Sequence, residues 1–264
     1  MDLPPELLDE IISHVPSNDK TLRNCSLVAR PWVYPSQKRI FKVIDIWRNS
    51  HLKSWLEAIS PTNVDVLRHV CSLTCKIPST LDSLHPPIDL LRDYSPSFRQ
   101  LERLTFFTGI LPSPAQIGTY SAFQHTLSHL SLWCCSVTAT GLVILVNYFP
   151  NLTHLELADL SCMVDGQPTP PFFRPLQKLT ITEFCTEDGL DFLDQLMGLR
   201  PQCDEVSIGV FRDSCPSLAQ HVINGVEASI QRLNLESHLE GAFSAPKRHI
   251  VMVSECNSGT LSQI

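Results

Sequence analysis

Leu127-Ser128-His129-Leu130-Ser131-Leu132 and Leu152-Thr153-His154-Leu155-Glu156-Leu157 carry one pattern, apolar-x-x-apolar-x-apolar, with starts 25 residues apart. It recurs at Leu101/Leu104/Phe106 and at Leu176/Leu179/Ile181, so the four strongest copies begin at 101, 127, 152 and 176, at spacings of 26, 25 and 24. Weaker copies stand at Leu67/Val70/Leu73, Cys203/Val206/Ile208 and Ile230/Leu233/Leu235. The closing alternation has the period of a strand with one face turned inward. Between the strands come stretches of helical character at 140–149, 187–199 and 217–229. Phe149-Pro150-Asn151-Leu152 ends the first of these and enters the next strand, because the residue before a proline avoids helical geometry.

One strand and one helix cannot bury their apolar faces alone, whereas stacked units share a continuous core. A strand–helix repeat of 20–29 residues is the period of leucine-rich repeats, and residues 67–253 resemble a divergent array of them. The asparagine usual at the strand end is missing. Cys135 takes its place after Leu132, and Leu160 and Phe184 take it elsewhere. The resemblance implies an α/β solenoid, a curved parallel sheet with outer helices. A last strand is expected at 249–253, and the Ser-rich tail 254–264 is expected to fray. Two proline-rich stretches interrupt the rhythm: 75–97, with Pro78, Pro86, Pro87 and Pro96, and 163–175, with Pro168, Pro170, Pro171 and Pro175. They read as loops on one face of the array, either binding loops or plain surface loops.

The N-terminal segment has a different period. Leu8, Ile11, Ile12 and Val15 recur at helical spacing, Pro4 suits a first turn, and Glu6, Asp9 and Glu10 place negative charge near the positive end of the helix. Pro16 to Asp19 stops this helix and supplies a cap for the next. Leu22, Cys25, Leu27 and Val28 follow, then Trp32, Val33, Ile40 and Phe41, with Pro31 and Pro35 expected to break the region into short helices. Some of this apolar surface must meet another element or a partner, because forty residues cannot bury it alone.

Leu3-Pro4-Pro5-Glu6-Leu7-Leu8-Asp9-Glu10-Ile11 and Leu27-Val28-Ala29-Arg30-Pro31-Trp32 resemble the opening and closing blocks of the F-box, in register and without insertion. The resemblance implies a three-helix F-box over 1–41 that docks on a Skp1-type adaptor. Leu3, Pro4, Leu7, Ile11, Leu22, Leu27, Val28 and Trp32 would be the contacts. Cys25 replaces the more usual leucine, and Pro31 inside the closing block implies a kinked third helix. Residues 42–66 would join the two parts rigidly, through a strand at 43–47 and a helix at 51–59.

The chain has 264 residues, enough for a large domain or for a small and a medium one, and its 43% hydrophobic and 18% charged residues are a globular composition. Net charge is −7, and five basic residues balance five acids within 1–41, so the acidic excess lies in 42–264. No basic footprint points to nucleic acid. No apolar run is long enough for a membrane span, and the acidic start gives no expectation of a secretory leader, so cytosol or nucleus is expected. The ten scattered cysteines form no C-x-x-C pair and read as reduced core residues.

Catalytic signatures are missing from the sequence: there is no G-x-S-x-G, Walker loop, G-x-G-x-x-G or H-E-x-x-H. His125 and His129 would share a helical face, but His129 lies inside a strand motif, so neither a metal nor any other cofactor is expected. The residues between the inward leucines would form the target-binding face: Arg103, Thr105, Ser131, Trp133, Glu156, Lys178, Thr180, Glu205, Ser207 and Asn234. The resemblance therefore implies a non-enzymatic substrate adaptor, which brings a target protein to a cullin–RING ubiquitin ligase. The alternatives are a Skp1-binding scaffold without a cullin, or a hydrolase of non-repeat fold.

Overall fold

Each of the four strong copies of the repeat pattern enters or occupies a strand in the computed structural model of the chain, which describes residues 3–16, 20–46, 64–76, 97–110, 114–162, 174–182, 187–198, 201–210, 232–237 and 249–252. The fold divides into two compact units, Met1–Thr105 with Gly118–Leu127, and Phe106–Ile117 with Ser128–Ile264.

The first unit opens with helices α1 (Pro5–Ser13), α2 (Lys20–Val28) and α3 (Arg30–Ile40). α1 buries Leu8 and Ile12, one turn apart; α2 buries Leu22; and α3 packs against both. The Arg39 guanidinium donates to the carbonyl of Ser13, at the end of α1 where carbonyls lack helical partners. The expected breaks do not occur within α3. Pro31 sits in its first turn, where a missing N–H costs nothing, so it starts the helix and does not kink it. The helix then continues through Pro35, whose ring is buried, despite the backbone bond a proline removes.

β1 (Val43–Ile46) pairs in parallel with β2 (Ser72–Lys76), and Ile44, Ile46, Leu73 and Cys75 point inward. The 3-10 turn Val64–His69 packs on α3, where Tyr34 meets the His69 ring edge-on at 5.0 Å and the Arg68 guanidinium lies 5.6 Å from the Tyr34 ring. Phe98, Tyr120 and Phe123 complete this core. Trp47 and the helix expected at 51–59 lie outside the described residues, as do the expected helix 217–229, the tail 254–264 and most of both proline-rich stretches.

The unit boundary falls inside β3 (Arg103–Ile110). The second unit then holds β4 (His129–Val137), α4 (Ala139–Tyr148), β5 (His154–Ala158), β6 (Ser161–Cys162), β7 (Leu176–Thr182), α5 (Glu187–Gly198), β8 (Cys203–Val210), β9 (Arg232–Ser237) and β10 (His249–Met252). β4, β5, β7, β8 and β9 lie side by side in chain order, all parallel, and β10 adds an antiparallel edge. The register aligns Leu130, Leu155, Leu179, Val206 and Leu233 in one row and Leu132, Leu157, Ile181, Ile208 and Leu235 in the next. The members of these rows on β4, β5, β7 and β8 are buried. The chain is thus an α/β protein built on a parallel sheet.

Two local devices recur. The carbonyl before one strand accepts two successive N–H groups at the entrance of the next: Lys42 from Cys71 and Ser72, Cys71 from Glu102 and Arg103, Ser128 from Thr153 and His154, and Thr153 from Gln177 and Lys178. Cys134 (φ 52°) and Asp159 (φ 48°), 25 residues apart, take left-handed backbone, which non-glycine residues adopt only singly. Each shifts the strand's phase by one residue, so that Cys135 and Leu160 turn inward as the strand-end residues. Phe184 lies outside the described residues. α4 starts at Thr138, whose hydroxyl accepts the N–H of Gly141 at 2.9 Å.

Candidate functional site

Two surfaces carry residues singled out by the sequence. On the first unit, α1 has two apolar stripes. Leu8 and Ile12 face inward, while Leu7 and Ile11, also one turn apart, face outward and extend the line of the exposed Leu3. At the end of α2, Leu27 is 82% and Val28 71% exposed. Pro4 is exposed and Trp32 half-buried. Leu22 behaves differently: it is fully enclosed, so it supports the helix packing and offers no surface to a partner.

The second surface is the strand face opposite the leucine rows. Its first row runs His129, His154, Lys178, Glu205, Arg232, and its second runs Ser131, Glu156, Thr180, Ser207, Asn234. Trp133 opens a third row beside Ala158. Arg103 is exposed and Thr105 half-buried on β3 in the first unit. Ser207 is buried, so it contributes little surface. Trp133 stacks on Phe107 with ring centroids 6.4 Å apart. Lys178 Nζ donates to Glu205 at 2.7 Å, and Arg232 reaches the other oxygen of that carboxylate at 3.4 Å. The Lys178 hydrogen bond, and after it the charges of Lys178 and Arg232, hold the Glu205 carboxyl below its usual range against partial desolvation. Ser131 Oγ donates to Glu156 at 2.8 Å.

Three residues of this face escaped the sequence reading: His129, His154 and Arg232. Their signal was available, since each occupies the position immediately before the middle apolar residue of its motif, the same position as Lys178 and Glu205. The imidazoles of His129 and His154 stack at 4.1 Å and 15°, and each Nδ1 lies 2.8 Å from the hydroxyl of the preceding residue, Ser128 or Thr153. With Ser131, Glu156, Lys178 and Thr180 they line a pocket of about 190 Å³.

Burial pushes the thiols of Cys75, Cys135 and Cys203 up to about 12, so none of the three is a thiolate at neutral pH. Among the described residues, no group of three or more His, Cys, Asp and Glu side chains stands together as a metal site, and no helix is long and apolar enough to cross a membrane. No protein-family model matches the chain, and no curated relative matches it in sequence.

Proposed function

We propose that the chain is a substrate adaptor of a cullin–RING ubiquitin ligase: α1–α3 act as an F-box that docks on a Skp1-type adaptor, and the parallel sheet is a leucine-rich-repeat solenoid whose strand face holds a target protein. One observation carries this reading. Of the eight positions that the F-box pattern assigns to the partner, Leu3, Pro4, Leu7, Ile11, Leu27 and Val28 are exposed, Trp32 is half-buried and Leu22 is enclosed, while the intervening Leu8 and Ile12 are buried. An apolar side chain gains ~1.5–3 kcal/mol on full burial, so a row of exposed leucines and isoleucines is energetically poised for a partner. Leu22 is then an internal support of the F-box helices and not a contact.

On this reading the chain performs no bond chemistry and works in the cytosol or nucleus, where ubiquitin ligases assemble. Catalysis comes from the partners, and the adaptor contributes proximity. The test is to isolate the tagged chain from cells and probe for both a Skp1-type adaptor and a cullin. Recovery of both is expected. The adaptor without the cullin would make the chain a scaffold, and recovery of neither would reject the F-box.

A further inference from the structure

The pocket between β4, β5 and β7 holds one carboxylate, Glu156, and one ammonium, Lys178, and Lys178 is already committed to Glu205. Lys178 and Arg232, the two lysine or arginine cations of the first row, are both engaged by Glu205, at 2.7 Å and 3.4 Å. Glu156 lies in the pocket wall, accepts its hydrogen bond from the neutral Ser131 hydroxyl, and pairs with no described cation. A half-buried carboxylate that has lost part of its hydration favours a positive partner. The neighbouring rings suit the same partner. His129 and His154 stack at 4.1 Å and wall the pocket beside Glu156. Trp133 stands two residues beyond Ser131 on the same strand face, roughly 7 Å along the strand, and with Phe107 offers aromatic surface to a cation. At about 190 Å³ the pocket is smaller than the ~300–1,000 Å³ of small-molecule sites and has the scale of a single side chain.

We propose that this pocket receives one basic side chain, arginine or lysine, from the target protein. Glu156 is its counter-ion, the His129–His154 stack forms the adjacent wall, and Trp133 extends the aromatic surface along β4. The inference deepens the adaptor reading, on which it rests for the presence of a protein target, and it fits the acidic excess of residues 42–264.

The experiment is a titration of the full chain with N-acetyl-arginine methylamide, and separately with the aspartate analogue, following the imidazole proton resonances assigned through His129→Asn and His154→Asn. The arginine probe should shift both sets saturably, with affinity on the order of millimolar for so small a ligand, and should weaken as salt is added. Glu156→Gln, which keeps the shape and the Ser131 contact, should weaken it by about tenfold or more. Equal binding by Glu156→Gln, or by a folded Glu156→Ala variant, overturns the proposal. So does no saturable shift in the wild type, or tighter binding of the aspartate probe, which would assign the pocket to an acidic ligand. The probe needs no Skp1-type adaptor. Loss of probe binding with adaptor binding intact therefore rejects this site alone, and the converse rejects the adaptor reading alone.

Discussion

The N-terminal helices and the sheet of the second unit treat leucine in opposite ways. Leu130, Leu155 and Leu179 are each 1% exposed, whereas Leu7 is 50% and Leu27 82% exposed. The strands of the sheet have neighbours in register, so every inward side chain finds a row to join. α1 and α2, at nine residues each, carry apolar residues on more than one face but have a described packing partner chiefly in α3. Within the described residues the sheet buries its leucine rows, whereas the helices keep apolar surface exposed.

The comparison is tested first by truncation. Leu155→Ala should lose ~2–5 kcal/mol of stability in denaturant unfolding, because it opens a cavity between Leu130 and Leu179. Leu27→Ala should change stability by less than about 0.5 kcal/mol, as expected of an exposed site. Equal losses at the two positions would break the contrast. The helix caps sharpen it. α1 begins at Pro4 with no side-chain cap, whereas α4 is held by Thr138. Thr138→Ala should cost ~1 kcal/mol in the same assay. Gly141→Ala should fail to give the usual ~1 kcal/mol gain of alanine over glycine in a helix, since its Cβ would meet Thr138 Oγ1 at 2.9 Å.

The smallest effect is electrostatic. The Glu205 carboxyl lies below its ordinary 4.5 in the folded chain, chiefly through Lys178. The folded state therefore binds fewer protons there than the unfolded chain, so this stabilisation is fully present above about pH 4.5 and is lost as pH falls through the lower folded value. Melting temperatures recorded across pH 3–6, roughly the carboxylate range, should show a shallower acid loss in Lys178→Met than in the wild type.

The strands were legible because the pattern that marks them is also what buries them: Leu130, Leu155 and Leu179 are both the middle residues of their motifs and one row of the sheet. The phase shifts at Cys134 and Asp159 were not legible in detail, since neither residue is the glycine that usually announces left-handed backbone. Leu22 and Leu27 have the same side chain in one short helix, and only the position of α3 decides that the first is enclosed and the second exposed. α3 runs through Pro35, whose ring is buried, in a tertiary context that propensity does not register. The His129–His154 stack and the shared Glu205 depend on partners 25 and 27 residues apart, which meet only once the register is fixed.

The central claim is that the open apolar face of the first helices is a docking surface for a Skp1-type adaptor. Calorimetric titration of the purified chain with that adaptor, for the wild type and for Leu7→Asp/Leu27→Asp with melting temperatures recorded alongside, tests it directly. The account predicts saturable binding by the wild type. It predicts a loss of about thirtyfold or more in the variant, the ~2 kcal/mol of an interface hot spot, at nearly unchanged melting temperature. A folded wild type that does not bind, or a variant that binds equally well, would contradict it.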